Sequence, residues 1–389
     1  MPGARRIGIL TGGGDVPGLN SVIKSVVYRS TELGYAVLGI RRGWLGLTHL
    51  EPGSDLDREH VIPLDRANTR TIDRTGGTML HTSRTNPAHM DRDGLPPHLA
   101  AHATRYATVD GAFDLTPVVL ENIARLGLDQ LVVIGGDDTL GYAHVIAARG
   151  VPLVAIPKTM DNDVRDTEYC IGFSTAVTRA KELINRQRTT LGSHERIGVF
   201  RIFGRDAGFS ALHIAYVTSA RCLIPEAPFD LERLVALLVA DKRANPSRYA
   251  FVIAAEGAAW VGAKVGELGE PDSFGHRRKT DIGEALAEEI RRRGGGETIV
   301  SQLTYDLRSG DPDSFDQMVA TTFANIAVDL IAEGISGRMI AIRGGRYTHV
   351  AVPDPSRGPR TVDVARYYNT ERFRPRYDGR DGFSVMLSD

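Results

Sequence analysis

Cysteine is nearly absent: Cys170 and Cys222 are the only two in 389 residues, far apart and without a Cys-x-x-Cys spacing. That excludes a disulfide scaffold, a zinc ribbon and a dithiol redox pair, and makes a reducing compartment the natural one. Long apolar runs are missing as well. No window approaches the roughly 20 apolar residues of a membrane span. Met1 to Arg6 leads into a short apolar strand and then glycines, unlike a signal peptide. The expected location is the cytoplasm, with no membrane partner. Neither sign of charge dominates. A net charge of -1 and a sequence pI near 6.8 leave no global field to attract nucleic acid, so any anion binding must be local. Two nucleotide signatures are also lacking. No Gly-x-x-x-x-Gly-Lys-Ser/Thr loop occurs anywhere, which excludes a Walker A site. Counting from Gly12, the last glycine of a dinucleotide fingerprint falls on Pro17, and the second strand leads to Arg41 and Arg42 instead of a ribose-binding acid.

What is present suits two globular domains with substantial cores, at 42% hydrophobic and 24% charged content. Arg6 to Leu10 reads as a strand, Gly12 to Gly18 as a loop, Leu19 to Leu33 as a helix and Tyr35 to Ile40 as a second strand. A similar unit follows: strand Leu131 to Ile134, a helix from Thr139 to Arg149, and strand Pro152 to Ile156. Apolar runs at Ile197 to Ile202, Ala250 to Ala255, Val300 to Leu303 and Met339 to Ile342 alternate with helical segments such as Thr175 to Leu191 and Phe315 to Ala332. The expected fold class is α/β with largely parallel sheets. Glu51 to Arg74, and Val261 to Glu297 around a helix from Ile282 to Arg293, read as surface excursions. The Arg- and Tyr-rich tail from Asp354 to Asp389 has interleaved acids, so packing or subunit contact is expected there, not a nucleic-acid arm.

Three segments at strand ends carry the chemistry. Gly12-Gly13-Gly14-Asp15-Val16-Pro17-Gly18 joins a strand to a helix, where backbone N–H groups and the helix dipole receive an anion; the plain alternative is a tight turn. Gly135-Gly136-Asp137-Asp138-Thr139 sits at another strand end, and its paired carboxylates suit Mg²⁺ held together with substrate phosphates, or else cap the following helix. Pro157-Lys158-Thr159-Met160-Asp161-Asn162-Asp163 places a base and a phosphate-binding cation side by side, as phosphoryl transfer requires, unless it is a salt-bridged polar turn.

These three segments, taken with Arg84, Arg196, Arg205 and Arg308, resemble the phosphofructokinase family in its motif order, from Ile7 to about Gly345. The resemblance implies two three-layer α/β domains with the active site in the cleft between them. Residues 1–171 plus 307–389 would bind donor and metal, and residues 172–306 the sugar phosphate. It further implies that Gly13, Gly14 and Arg84 contact the phosphoryl donor, Asp137 holds Mg²⁺, and Asp161 is the general base on the sugar's 1-hydroxyl. Thr159, Met160, Asp163, Phe203, Gly204, Arg205, Glu256, Tyr305 and Arg308 would bind the sugar phosphate. Arg196 would reach a neighbouring subunit's site, which makes a homodimer or homotetramer.

In ATP-using relatives glycine usually follows the metal-loop aspartate and precedes the catalytic Thr-x-Asp. Here those positions are Asp138 and Lys158, as in the pyrophosphate-dependent branch. A carboxylate beside a nucleotide α-phosphate costs about 4 kcal/mol at about 4 Å and an effective dielectric near 20, and Lys158 adds charge suited to a small polyanion. The expected reaction is reversible, Mg²⁺-dependent transfer from pyrophosphate to fructose 6-phosphate, giving fructose 1,6-bisphosphate and phosphate. Ile299 stands where many relatives carry a phosphate-binding arginine, and Phe203 and Tyr305 replace Met and His. Another ketose phosphate such as sedoheptulose 7-phosphate therefore stays open as acceptor. The rival readings are an ATP-dependent enzyme and a noncatalytic sugar-phosphate sensor.

Weaker features have plain readings. His98 and His102 have i, i+4 spacing but no third metal ligand, and Arg291-Arg292-Arg293 suits a helix C-terminus. Trp44 matches a family position near a nucleotide ring, where it would only pack if the donor is pyrophosphate.

Overall fold

Apolar runs become strands, and the amphipathic segments between them become the covering helices. The computed structural model describes residues 5–51, 57–262, 267–268, 278–279, 281–379 and 381–382. Its first strands are β1 (Arg6–Thr11), β2 (Ala36–Ile40), β3 (Val61–Leu64), β4 (Gln130–Gly135), β5 (Leu153–Pro157), β6 (Ile197–Ile202), β7 (Arg221–Leu223) and β8 (Ala250–Ala255). Then come β9 (Glu267–Leu268), β10 (Arg278–Lys279), β11 (Thr298–Leu303), β12 (Arg338–Arg343) and β13 (Arg346–Ala351).

Seven strands form one sheet in the order β13-β12-β5-β4-β1-β2-β3, parallel except for its two edge pairs. A second sheet, β11-β6-β8-β7, is wholly parallel. In the larger sheet the chain runs from β1 outward to β2 and from β4 outward the other way to β5. This reversal opens a crevice at the carboxyl ends of β1 and β4, the usual place for a ligand in such sheets. All three motif loops emerge there.

Side chains alternate between the faces of the large sheet with the period of two that strand geometry dictates. Ile7, Ile9, Val132, Ile134, Val154 and Ile156 join a core that continues without a break to Val199 and Val252 of the smaller sheet. Leu10, Leu131, Val133, Leu153 and Ala155 point the other way and pack with Trp44, Leu140 and Tyr142.

The expected strands appear, most within a residue or two. β3, β7, β9, β10 and β13 were not anticipated. β3 lies within the Glu51 to Arg74 segment that read as an irregular excursion, and β7 and β13 are short or edge strands. The helix after Gly136 spans Asp137–Ala147, beginning two residues earlier than expected. From Val261 to Glu297 the helix Ile282–Arg292 and the β9–β10 pair are seen, whereas 263–266, 269–277 and 280 lie outside the described residues. His98 and His102 fall in a 3-10 stretch kinked at His102, so helical i, i+4 geometry does not apply.

The tail packs against the smaller sheet as far as it is described. Tyr368–Asn369 pairs with Arg374–Pro375, Cys222 N–H donates to the Phe373 carbonyl at 2.9 Å, and the Tyr368 hydroxyl donates to the Cys222 carbonyl at 2.6 Å. Arg221 in β7 is buried, and its fork binds Asp241 at 2.6 and 2.8 Å. Residues 383–389 lie outside the described residues. Among the described residues no helix is long and apolar enough to cross a membrane.

Candidate active site

Basic side chains explain the glycines after β1. Gly13 has a φ of 80°, and a Cβ there would lie 2.9 Å from Lys158 Nζ. A Cβ on Gly14 would collide with the Arg308 guanidinium. The loop is fixed by Gly12 N–H to the Ile134 carbonyl at 3.0 Å, Gly13 N–H to the Ser83 carbonyl at 2.9 Å, and the Thr82 hydroxyl to the Gly13 carbonyl at 2.6 Å. Arg308 Nη1 donates to the Asp15 carbonyl at 2.9 Å, while its guanidinium lies 4.6 Å from the Phe203 ring centroid.

After β4, Gly136 is the N-cap of Asp137–Ala147 and makes no side-chain cap. Asp137 and Asp138 therefore occupy the first turn, where the helix dipole favours anions, and both line the cleft. Neither is the helix N-cap. Trp44 is buried, donating from Nε1 to the Thr139 carbonyl at 3.2 Å and meeting Tyr142 edge-on at 4.9 Å. It packs beneath this turn and does not line the cleft.

After β5, Lys158 Nζ donates to the Gly14 carbonyl at 2.8 Å. Asp161 N–H donates to Thr159 Oγ1 at 3.1 Å. Asn162 has a φ of 54° and closes the turn through Nδ2 to the Glu168 carbonyl at 3.0 Å, while its Oδ1 accepts from Cys170 N–H at 2.8 Å.

The smaller sheet contributes from the opposite side. Glu256 pairs with Arg201 at 3.3 Å, and its N–H donates to the Ile202 carbonyl at 3.0 Å. Gly257 is obligatory, because a Cβ there would strike the Arg205 carbonyl. Gly204 turns the chain with a φ of 117°.

Together these groups surround a cavity of about 990 Å³. Every predicted site residue lines it except Gly204, Arg196 and Tyr305. Arg196 is held by Glu297 at 2.7 Å, and Tyr305 is 77% exposed. Ile299 packs half-buried against the core. Asn86, Arg165 and the strap Pro353–Pro359 also border the cavity, and sequence reasoning did not find them. Arg165 and the strap offered no sequence signal.

The electrostatics are strongly perturbed. Burial, followed by repulsion from Asp163, Asp138 and Asp161, pushes the Asp137 carboxyl up to about 8. Burial and Asp163 push Asp161 up to about 7, against the pull of Arg308. Asp163 is raised as well, chiefly by burial. Burial and the neighbouring Arg308 and Arg84 lower the Lys158 ammonium to about 8. Asp161 Oδ1 is buried without a protein hydrogen-bond partner. Crowded hard-oxygen ligands of one sign fit a divalent cation. Among the described residues no group of three or more His, Cys, Asp or Glu could hold a metal ion alone.

A family model described as phosphofructokinase matches residues 6–331. The chain belongs to the phosphofructokinase family. It is 40% identical to a pyrophosphate–fructose 6-phosphate 1-phosphotransferase of Streptomyces coelicolor, over 93% of this chain and 97% of that one. It is also 36% identical to ATP-dependent 6-phosphofructokinase 3 of the same organism, over 94% and 99% of the two chains. The crystal structure of a pyrophosphate-dependent phosphofructokinase from Marinobacter aquaeolei shares the fold, with a TM-score of 0.75 at 17% identity over 99% of this chain and 92% of that one. As a phosphofructokinase, the chain is a phosphotransferase with a mixed α/β, largely parallel architecture.

Proposed function

We propose that this phosphofructokinase transfers a phosphoryl group from pyrophosphate to the 1-hydroxyl of fructose 6-phosphate. The observation that carries the choice of donor is the buried Lys158 ammonium bonded to the Gly14 carbonyl, with Asp138 lining the same cavity. A buried cation at the donor loop favours a compact polyanion, and a neighbouring carboxylate disfavours a nucleotide's α-phosphate. Relatives named for each donor lie at similar identity, so the donor argument rests on these residues.

Donor and metal would lie on the larger-sheet side (residues 1–171 plus 307–389), and the sugar phosphate on residues 172–306. Asp137 would hold Mg²⁺, which when bound neutralises charge on the donor phosphates. Gly13, Gly14, Arg84 and Lys158 hold the donor. Arg205, Glu256 and Arg308 orient the sugar phosphate, with Thr159, Met160, Asp163 and Phe203 lining its pocket and Gly204 shaping the turn. Asp161 accepts the proton of the 1-hydroxyl as the new P–O bond forms and the bridging P–O bond breaks, releasing phosphate. A carboxyl raised to about 7 is well matched to that task near neutral pH. Tyr305 would contact the sugar phosphate, and Arg196 would reach a neighbouring subunit's site in a homodimer or homotetramer.

The test is formation of fructose 1,6-bisphosphate from fructose 6-phosphate and Mg²⁺, with pyrophosphate or ATP in parallel. Turnover with ATP alone would overturn the donor reading. Turnover with neither would direct attention to another ketose phosphate, sedoheptulose 7-phosphate first.

A further inference from the structure

Beyond residue 331, where the family match stops, the chain sends a buried arginine beneath the catalytic turn. Arg360 is only 8% exposed. Its Nη2 donates to the Asn162 carbonyl at 2.5 Å and lies 3.5 Å from the Glu168 carbonyl. Its main-chain N–H donates to the Asp163 carbonyl at 2.6 Å. The guanidinium carbon sits 4.4 Å from the Phe209 ring centroid, which covers its other face.

These contacts grip both peptides that flank the Asp163 α-carbon. The residue between Asp161 and Asp163 is Asn162, held at a φ of 54°, where side chains are disfavoured. Turning the 162–163 peptide toward ordinary geometry would shift the carboxylates on its two sides relative to each other. A guanidinium is costly to bury, and an apolar side chain would fill the same space at lower desolvation cost. The guanidinium does what an apolar group cannot: through Nη2 it donates to the Asn162 carbonyl and lies beside the Glu168 carbonyl, so one nitrogen meets both ends of the loop. Arg360 is also anchored within the strap, since Arg165 Nε donates to the Arg357 and Gly358 carbonyls at 2.9 and 2.7 Å.

We propose that Arg360 is a positioning residue for phosphoryl transfer, holding the Asn162–Asp163 turn so that the Asp161 carboxylate faces the acceptor hydroxyl. This rests on the proposed reaction, and the experiment separates the two. The parent chain, Arg360→Lys, Arg360→Ala and the surface control Arg346→Ala are assayed together for kcat, sugar-phosphate KM and thermal unfolding. A displacement on the order of 1 Å at a reacting group lowers turnover about 100-fold. That loss is expected in kcat for Arg360→Lys, with KM little changed and the fold retained, while Arg346→Ala on the exposed edge strand β13 behaves as the parent does. Guanidinium ion added below denaturing concentration should restore part of the turnover of Arg360→Ala but none to Arg360→Lys. Should Arg360→Ala fail to fold, Arg360→Lys decides. A folded Arg360→Lys with parental kcat would overturn the proposal. A parent inactive with either donor would instead overturn the reaction. Amide exchange over residues 160–166 then tests the anchor, and unchanged exchange in Arg360→Lys would refute it.

Discussion

Lys158 and Gly14 are joined by a 2.8 Å hydrogen bond from ammonium to carbonyl, which seats a buried cation from the loop after β5 under the glycine loop after β1. The bond spans 144 residues of sequence and places positive charge where no side chain of the glycine loop itself could supply it.

The alkaline side of the pH profile should belong to Lys158. Below about 8 its amine is charged, and above that value the charge is lost. Thus kcat/KM for pyrophosphate is expected to fall as pH rises through about 8. Bound donor stabilises the ammonium, so the limb in kcat lies higher. Lys158→Arg keeps its charge throughout and should lose this limb. A limb that stays in place would assign it to another group.

Asp138→Gly should shift preference toward ATP. Removing a carboxylate about 4 Å from an α-phosphate is worth about 4 kcal/mol at an effective dielectric near 20. Bound cation and Lys158 screen part of it, so a rise of about tenfold, some 1.4 kcal/mol, is expected in kcat/KM for ATP relative to pyrophosphate. An unchanged ratio would show that Asp138 does not discriminate donors.

Asp161→Asn removes the proposed base and keeps the shape of the turn. Turnover should drop by about 10²–10⁴, whereas calorimetric affinity for the sugar phosphate stays near the parental value. Parental turnover would transfer the role to another group.

Asp316 predicts a purely structural effect. Its carboxylate accepts from the Tyr169 hydroxyl at 2.6 Å, Gly172 N–H at 2.8 Å, Thr175 N–H at 2.8 Å and the Thr175 hydroxyl at 2.5 Å. Asp316→Asn turns one acceptor into a donor facing other donors. The expected loss is about 2–4 kcal/mol in denaturant unfolding, the scale of a buried charged hydrogen-bond network left partly unmade. A variant as stable as the parent would mean the network rearranges freely.

Much of this molecule was readable because its signals are local. β1, β4 and β5 are short apolar runs followed at once by glycine or polar motifs, so strand, loop and candidate chemistry sit within a dozen residues of one another. The pairing of Lys158 with the donor loop was likewise foreshadowed by a lysine at a strand end. What was hidden depends on distant partners. β3 is an edge strand with a proline in it, and it exists because β2 offers it a register. Trp44 matched a family position near a nucleotide ring, where it would only pack with a pyrophosphate donor, and the partners it packs on, Thr139 and Tyr142, lie nearly a hundred residues away. Arg360 stood in a charged, proline-bearing tail with nothing nearby to mark it as a partner of Asn162.

That last contact also imposes an order of events. Asn162 is bonded to an arginine 198 positions further along, so a growing chain can complete β5 and most of the large sheet long before the catalytic turn gains its final support. During synthesis the cleft should take shape first and become competent only after the tail has been made and laid beneath it. The segment after β13 thus acts less as an appendage than as the fastening that commits a finished cradle to chemistry.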